Sequence, residues 1–493
     1  MSSNSNNNLM GKVEEPEQLS LFREIEKELN YEKKIDTESD RLYHEYEHLI
    51  RTSHTLSRSL VSYQGNKEQQ FYRWFKFKEG FSHAFVKQVI NEYTKEKKPE
   101  AVLDPFAGIG TTVTTSAQMG VKAKGIELLP VGLKAIKARL ISTNLDLKKL
   151  EDYIYDLKKV NFQDSEVESR FYFNHLTITQ HAFPQNTELA LAHFRKFLQS
   201  IPDDEIRELF EFAGMAILED ISYTRKDGQY LRWDSRANRQ LKSKFSKGKI
   251  YGFEEKLFEK LETFYQDLNK SDQRVIEPGL TEVFQGSSLH KMAELTPKSI
   301  DLIITSPPYC NRYDYTRTYA LELAYLGLNE TDMKALRQSL LSATVENKTK
   351  VQELLTYYKK IGREEWFEKA LHSFYNQKAL HEKLDLLKAQ INRLNNKKLP
   401  EMIYNYFLEM TIVIFEMARV LTAGGKVYMV NDNVQYNGEE IPVDLIMSDI
   451  AEMAGLKTEA ILTLPRGKGN SSQQMKGNGR HELRKCVYIW ANP

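Results

Sequence analysis

Two short strings combine residue types that could bind a ligand and position a reacting amino group. The first, DPFAGIGTT, runs from Asp104 to Thr112 and holds two glycines directly after an apolar stretch. The second, TSPPY, runs from Thr305 to Tyr309 and also follows an apolar stretch. Glycine-rich turns are common and a proline pair is usually a rigid bend, so neither string is decisive alone. Their joint occurrence after two predicted strands indicates adjacent points of one doubly wound sheet.

The glycine string has the features of a turn between a strand and a helix that approaches a ligand closely. Gly108 and Gly110 allow that approach, and a helix begins at Thr111. Glu127, at the end of the next predicted strand, is placed to accept hydrogen bonds from ribose hydroxyls. A nicotinamide dinucleotide is the competing ligand, but Val113 stands where its third glycine would be. A ligand that carries a carboxylate instead of a pyrophosphate fits better.

The proline string supplies hydrogen-bond acceptors that no sheet uses. A strand cannot continue through Pro307 and Pro308, so the chain must turn there. The turn leaves the Ser306 hydroxyl and the Pro307 carbonyl free to bind the hydrogens of an aromatic amino group. Such a group is a weak nucleophile because its lone pair is delocalised into the ring, and two acceptors can pyramidalise the nitrogen and free that lone pair. Tyr309 offers a face on which a base can stack.

The segments around both strings alternate between strand and helix patterns, which predicts a parallel sheet. Ser82 is a candidate N-cap for a helix that precedes the glycine string. The predicted helices span residues 84–93, 112–119, 131–140, 401–421 and 443–454. The predicted strands span residues 100–103, 122–126, 281–286, 300–304, 426–430, 458–464 and 486–490.

The alternation of strand and helix patterns predicts an α/β fold with a doubly wound sheet. Two interruptions of the pattern predict two insertions in that sheet, at least one of them mainly helical. Ser2 to Asn8 is polar and predicted to be disordered, and Glu14 to Ile50 predicts a surface helix that packs loosely. The predicted division is an N-terminal extension (1–60), a first core part (61–150), an insertion that reads the target (151–275), a second core part (276–328), a helical insertion (329–400) and a third core part (401–493).

Composition excludes several classes of protein. The chain has 493 residues, of which 41% are hydrophobic and 28% charged, as expected for a globular protein. Its two cysteines exclude a disulfide framework and a cysteine-rich zinc site, and the histidines show no metal-ligand spacing, so we expect no metal. No membrane span or secretory leader is predicted. With a net charge of +1, binding of nucleic acid would need positive charge gathered on one face.

The two strings and their surroundings resemble the S-adenosylmethionine-dependent DNA amino-methyltransferases, which modify cytosine N4 or adenine N6. The resemblance implies a Rossmann-like methyltransferase fold, S-adenosyl-L-methionine as cofactor, and double-stranded DNA with a flipped target base as partner. It also implies a restriction-modification setting with a cognate endonuclease as a candidate partner, and a cytoplasmic, nucleoid-associated location in a prokaryote. The segment from Arg466 to Arg484 resembles the closing hairpin of these enzymes.

The resemblance also assigns residues. The base would be bound by the catalytic loop, Ser306, Pro307, Pro308 and Tyr309. The donor would be bound by Trp74, Phe81, Ser82, Asp104, Pro105, Phe106, Gly108, Gly110, Thr111, Thr112, Glu127, Ser287 and Ser306.

Serine at the first position of the catalytic loop favours cytosine N4, because Asp or Asn is common there in adenine enzymes. Methylation at C5 is disfavoured because it needs a cysteine nucleophile, and Cys310 follows Tyr309 rather than a proline. Three alternatives stay open: an adenine N6 enzyme, an RNA or tRNA amino-methyltransferase, and a catalytically silent nucleic-acid-binding protein.

A basic cluster inside the first insertion is the candidate DNA contact. Arg225 to Lys249 holds nine Lys or Arg residues and two Asp residues. Basic side chains neutralise phosphates and reach guanine edges, although a charge run is often only a solvated face. The candidate DNA-binding residues are Arg225, Lys226, Arg232, Arg236, Arg239, Asn311, Arg312 and Tyr315.

Overall fold

The computed structural model describes residues 37–143, 145–228, 230–237, 239, 244–270, 276–465 and 483–493. Within these ranges the chain forms twelve strands. They are β1 (Ile50–Thr52), β2 (Ala101–Asp104), β3 (Lys122–Glu127), β4 (Thr224–Asp227), β5 (Tyr230–Trp233), β6 (Thr281–Gln285), β7 (Ile300–Thr305), β8 (Leu421–Asp432), β9 (Val434–Tyr436), β10 (Glu439–Ile441), β11 (Lys457–Thr463) and β12 (Lys485–Ala491).

The α-helices of the described residues follow the same numbering by chain order. In the first half they are α1 (Glu38–Tyr46), α2 (His83–Thr94), α3 (Thr111–Gln118), α4 (Pro130–Ser142), α5 (Leu147–Leu157), α6 (Gln185–Ser200), α7 (Asp204–Ala216), α8 (Leu218–Ile221) and α9 (Phe253–Asn269). In the second half they are α10 (Ser288–Glu294), α11 (Tyr315–Thr318), α12 (Ala320–Tyr325), α13 (Glu330–Ser339), α14 (Val351–Lys360), α15 (Glu364–Asn376), α16 (Lys378–Ala389), α17 (Leu399–Val420) and α18 (Val443–Met453).

Eight strands form one sheet in the order β1-β11-β12-β8-β7-β2-β3-β6. All neighbouring pairs are parallel except those made by β12, which runs antiparallel to β11 and β8. The predicted doubly wound α/β fold is therefore confirmed. Because β2 and β7 are parallel neighbours, the two chemistry-bearing strings that follow them leave the same edge of the sheet side by side.

The central strands are buried on both faces, as parallel strands covered by helices must be. Every residue of β2 and β7 is buried. Leu103 and Ile303 belong to the cluster that packs against α17 and α18. Val102, Leu302 and Ile304 belong to the cluster that packs against α2. Alternation along each strand thus sends successive side chains into two separate layers.

The two interruptions of the sheet pattern are mainly helical in the described residues. The first contains α5 to α9 and the β4–β5 hairpin, and it shares a hydrophobic cluster with Phe75, Ala135 and Tyr319 of the flanking core. The second, over 329–400, contains α13 to α16.

Two expectations about local structure are wrong. The segment before residue 60 is not loosely packed where it is described, because Leu42 and Tyr46 of α1 are buried and β1 pairs with β11 at the sheet edge. The strand predicted at 426–430 begins earlier, at Leu421, and the register against β7 shifts there so that Gly424 and Gly425 form a bulge. The predicted disorder of Ser2–Asn8 lies outside the described residues, as do residues 466–482 of the segment from Arg466 to Arg484 that resembles a closing hairpin.

In the part of the chain that the structure describes, no helix has the length and apolar character needed to cross a bilayer. The same residues hold no group of three or more His, Cys, Asp or Glu side chains that could bind a metal ion.

A buried ion pair ties the second insertion to α17. Lys350 Nζ lies 2.7 Å from Glu409 Oε1 and 2.8 Å from the Leu340 carbonyl oxygen. Glu409 Oε2 accepts from the backbone N–H of Ser342 at 2.8 Å. Both charged side chains are almost completely buried. The pair therefore fixes the chain between α13 and α14, where Leu340 and Leu341 turn toward the sheet edge.

We expect Lys350→Met to lower the free energy of unfolding by about 3–5 kcal/mol, because it leaves the Glu409 carboxylate buried without a counter-charge. Urea unfolding followed by tryptophan fluorescence measures this. The matched control is Lys348→Met, since Lys348 is exposed and its change should stay within about 0.5 kcal/mol. Equal unfolding midpoints for the two variants would contradict the assignment.

Candidate active site

The glycine string turns sharply between β2 and α3. Gly108 and Gly110 have φ angles of +54° and +76°, a region that favours glycine. A Cβ atom on Gly110 would lie 2.6 Å from Cγ1 of Ile136, so the loop packs against α4 too closely for any side chain. The two glycines are therefore required by backbone conformation, and at Gly110 also by contact.

Asp104 connects the glycine string to the proline string. Its Oδ1 accepts from the Thr305 hydroxyl at 2.7 Å and from the Phe106 N–H at 3.0 Å. Its Oδ2 accepts from the Thr112 hydroxyl at 2.9 Å. Burial raises the pKa of Asp104 to about 6, and these three hydrogen bonds oppose that rise. One carboxylate thus fixes β7, the glycine string and the start of α3 relative to one another.

Glu127 ends β3 beside the same loop. Its Oε2 accepts from the Gly108 N–H at 2.6 Å, and its Oε1 accepts from the N–H groups of Leu128 at 2.9 Å and Leu129 at 2.6 Å. Burial raises the pKa of Glu127 to about 7, against the effect of these hydrogen bonds. A carboxylate has about four acceptor positions, so about one remains for a ligand hydroxyl.

These elements surround a first cavity of about 600 Å³ at the edge of the sheet. Its walls are mostly apolar, with Glu127, Glu79, three serines and Tyr315 as polar exceptions. It is lined by Phe77, Glu79, Pro105, Phe106, Gly108, Ile126, Glu127, Leu128, Leu129, Gly286, Ser287, Ser288, Leu289, Ser306, Pro308, Tyr315, Leu340 and Leu341.

The predicted donor residues divide into three groups. Pro105, Phe106, Gly108, Glu127, Ser287 and Ser306 line the first cavity. Asp104, Gly110, Thr111 and Thr112 are buried behind the loop and support it without reaching the cavity wall.

Three other predicted donor residues are placed away from the first cavity. The Trp74 indole N–H donates to Asp267 Oδ2 at 2.9 Å, inside the cluster shared with the first insertion. The Ser82 hydroxyl donates to the Leu60 carbonyl at 2.7 Å and accepts from the Phe85 N–H as the N-cap of α2. Phe81 packs edge-on against Phe85. All three anchor the segment between residues 71 and 82 and do not line the first cavity, so their binding of a donor stays a prediction.

The residues of that segment that do reach the cavity are Phe77 and Glu79, which the sequence reasoning missed. It also missed Leu340 and Leu341, which come from the second insertion. Phe77 could have been predicted, because alternate residues of an extended segment share one face and Phe75, two residues earlier, is buried. Nothing in the sequence of the second insertion indicated that two leucines would return to the sheet edge.

The proline string separates the first cavity from a second one. The Ser306 hydroxyl donates to the Tyr309 hydroxyl oxygen at 3.2 Å. Among the described residues, no hydrogen bond uses the Pro307 carbonyl oxygen. Burial raises the pKa of Tyr309 far above its ordinary value, so its hydroxyl stays protonated.

The second cavity has a volume of about 1060 Å³ and is more polar than the first. It is lined by Arg58, Val61, Ser62, Lys78, Glu79, Gly80, Gly228, Ser306, Pro307, Tyr309, Asn311, Tyr313, Tyr315, Val430, Asp432, Leu464, Lys485 and Cys486. Glu79, Ser306 and Tyr315 line both cavities, so the two spaces meet at these three side chains.

Two predicted DNA-contacting residues, Asn311 and Tyr315, line the second cavity. Arg312 between them has a φ of +67° and is half-buried. The positive φ marks a constrained turn directly after the proline string.

The basic cluster has a mixed placement. Arg225 is exposed on the β4–β5 hairpin, and Gly228 at the tip of that hairpin lines the second cavity. Lys226 is buried and ion-paired with Glu322, so it has no access to a phosphate and the expectation of a DNA contact is wrong for it.

The remaining three arginines of the cluster are partly exposed, and each of them contacts a neighbouring side chain. Arg232 pairs with Asp227 at 2.9 Å, and Arg236 pairs with Asp234 at 2.7 Å. Arg239 stacks over the Trp233 ring at 4.1 Å.

Comparison with known proteins gives matches along almost the whole chain. The N6/N4 family model, described as DNA methylase, matches residues 12–137. The type II methyltransferase M.AvaI of Nostoc sp. (strain PCC 7120) is 46% identical over 458 residues, which cover 90% of this chain and 91% of that protein. M.AvaI of Anabaena variabilis gives the same values. The type II methyltransferase M.BsoBI of Geobacillus stearothermophilus is 38% identical over 466 residues, covering 91% of each chain. No solved structure matches.

We expect Asp104→Ala to destabilise the protein, because it leaves the Thr305 hydroxyl and the Phe106 N–H without their acceptor, at a cost of about 1–3 kcal/mol for each group left unsatisfied. The Thr112 hydroxyl keeps the Ile304 carbonyl oxygen at 3.1 Å. Chemical denaturation measures the change. The control is Asp152→Ala on the exposed side of α5. If Asp104→Ala unfolds at the same denaturant concentration as Asp152→Ala, the connecting role of Asp104 is refuted.

Proposed function

This chain belongs to the N6/N4 family of type II DNA methyltransferases, and we propose that it transfers a methyl group from S-adenosylmethionine to the exocyclic N4 of a flipped cytosine. One observation carries the proposal: the proline string stands between two cavities that meet at Ser306. A donor in the first cavity and a base in the second would then face each other across a single side chain.

The first cavity fits S-adenosylmethionine. A glycine turn that no side chain could occupy adjoins a carboxylate with about one acceptor position left. Glu127 would accept from a ribose hydroxyl, and Phe106, Ile126 and Leu289 would enclose the adenine. When bound, this cofactor supplies an electrophilic methyl group on a sulfonium.

In the proposed mechanism, the catalytic loop acts on the base and not on the donor. The Pro307 carbonyl and the Ser306 hydroxyl oxygen accept the two hydrogens of the amino group, which localises the nitrogen lone pair toward the first cavity. Tyr309 and Tyr315 offer aromatic faces in the second cavity, where a flipped base could stack. The mechanism we propose is a direct displacement that needs neither a metal ion nor a covalent intermediate.

The choice of cytosine N4 as the methylated atom rests on the first residue of the catalytic loop. Serine opens the catalytic loop, where Asp or Asn is common in adenine enzymes of this family. We further propose that the first insertion reads the target, because the β4–β5 hairpin places Gly228 at the rim of the second cavity beside the exposed Arg225. A cognate restriction endonuclease would share that target.

We expect DNA from cells that produce this chain to carry N4-methylcytosine at one recurring sequence, detected by base-resolved long-read sequencing and by chromatography of nucleosides. In vitro, Ser306→Ala should lower methyl transfer about 100-fold, the loss expected when one hydrogen bond to the transition state is removed. Its affinity for S-adenosylmethionine should stay within about twofold.

Ser200→Ala on the surface of α6 is the control and should keep full activity. N6-methyladenine in place of N4-methylcytosine would refute the choice of base. DNA without modification would refute the proposed activity, and an active Ser306→Ala enzyme would refute the role of that hydroxyl.

We also expect donor affinity to depend on the ionisation of Glu127, whose pKa is raised to about 7 by burial. Only the ionised carboxylate offers all its acceptor positions to a ribose, so affinity should fall as pH falls through 7. If only the ionised form binds, the dissociation constant at pH 6 should be about tenfold higher than at pH 8.

Calorimetric titration with S-adenosylhomocysteine measures this, because that ligand keeps the ribose and lacks the sulfonium. Glu127→Gln should bind weakly with a flat profile between these pH values, and Glu282→Gln at the exposed edge strand should retain the wild-type profile. A wild-type affinity independent of pH would contradict the assignment.

A further inference from the structure

We infer that Glu79 binds the cationic sulfonium end of the methyl donor, so that the site holds the charged donor more tightly than its neutral thioether product. The inference rests on the proposed function, because it assigns a ligand charge to a residue of the same site. It starts from the position of Glu79, which lines the first and the second cavity together with Ser306 and Tyr315. A methyl group that moves from one cavity to the other must pass this junction.

The Glu79 carboxylate is held in place by two phenols. The Tyr313 hydroxyl donates to Oε1, and the Tyr319 hydroxyl donates to Oε2. Burial, followed by the charge of Glu79, raises the pKa of both tyrosines well above the ordinary value, so both remain donors. The Tyr319 ring stacks on Phe77 with ring centroids 5.3 Å apart, and Phe77 lines the first cavity. The carboxylate is therefore oriented by a rigid aromatic layer.

Neutral phenols do not cancel a negative charge. Among the described residues, no Lys, Arg or His lies within 4.0 Å of the Glu79 carboxylate. The two nearby lysines are engaged elsewhere, since Lys78 Nζ donates to the Lys226 carbonyl and Lys226 Nζ pairs with Glu322. The charge of Glu79 favours the protonated form of both lysines from a longer distance, but neither forms an ion pair with it. A half-buried carboxylate that accepts hydrogen bonds and has no cation in direct contact is suited to bind one.

The other carboxylate of the first cavity differs in this respect. Glu127 accepts three backbone N–H groups, whose dipoles offset its charge. Each Glu79 oxygen accepts one phenol hydrogen and keeps an acceptor position. Glu79 is therefore the carboxylate in the donor cavity that is suited to a positively charged group.

Methyl transfer removes that charge. The electron pair of the broken C–S bond stays on sulfur, the new bond forms to the base nitrogen, and the nitrogen proton leaves to solvent. A carboxylate at the junction consequently attracts the donor before transfer and has no ionic interaction with the thioether sulfur afterwards. The expected result is a binding preference for donor over product that originates in one side chain.

The test compares the affinities of full-length wild type and Glu79→Gln for S-adenosylmethionine and S-adenosylhomocysteine by calorimetry. Gln keeps the size of the side chain and removes its charge. We expect Glu79→Gln to weaken the binding of S-adenosylmethionine at least about tenfold, because the attraction between opposite charges near a protein surface exceeds the free energy of a tenfold change in affinity. The affinity for S-adenosylhomocysteine should change by less than about twofold. Glu282→Gln, remote from both cavities, should leave both affinities unchanged.

A second variant separates charge from the hydrogen-bond network. Tyr319→Phe removes one orienting hydroxyl and keeps the carboxylate, so it should keep most of the preference for S-adenosylmethionine. Equal weakening of both ligands by Glu79→Gln, or loss of the preference in Tyr319→Phe alone, would overturn the inference. If wild type binds neither ligand, the proposed function itself fails and the inference fails with it.

Discussion

The active site depends on one buried carboxylate that joins three elements. Asp104 accepts hydrogen bonds from Thr305 at the end of β7, from the backbone of the glycine string and from Thr112 in the first turn of α3. Because β7 and β2 are parallel neighbours, these bonds determine how the donor cavity faces the catalytic loop. Burial opposes ionisation of Asp104, and only its three donors offset that cost. Geometry at the site is thus set by a residue that does not line either cavity.

The insertions complete the site that the sheet begins. Leu340 and Leu341 reach the first cavity from the second insertion, and the buried Lys350–Glu409 pair keeps them there. On the other side, the first insertion contributes the hairpin tip at Gly228 to the second cavity. Both insertions pack on the core through continuous hydrophobic clusters. The first and second cavities are therefore built by the sheet edge and its two insertions together.

The sequence predicted the strands and helices that have a periodic hydrophobic pattern, and it missed contacts made by segments without such a pattern. Strands such as 122–126 and 300–304 were predicted because apolar runs of that length alternate with helical patterns, and the sheet confirms them. In the irregular segment from 71 to 82 no periodicity tells which aromatic side chain faces a ligand. The sequence predicts a ligand contact for Trp74 there, whereas Phe77 and Glu79 line the first cavity. Lys226 was counted with a basic run because its partner Glu322 lies 96 residues away in the sequence.

The two carboxylates of the donor cavity illustrate how environment separates the roles of like groups. Glu127 is fixed by backbone N–H groups on three residues, and its raised pKa of about 7 shows that burial outweighs those dipoles. A carboxylate held in this way suits neutral hydroxyls, because it is positioned by the same loop that approaches the ligand. Glu79 is held by side-chain phenols from the segment after the catalytic loop, so its position follows that loop rather than the glycine string. Under the proposed function, the position of this charge depends on the loop that would bind the base, so recognition of the donor would depend on the same loop as transfer.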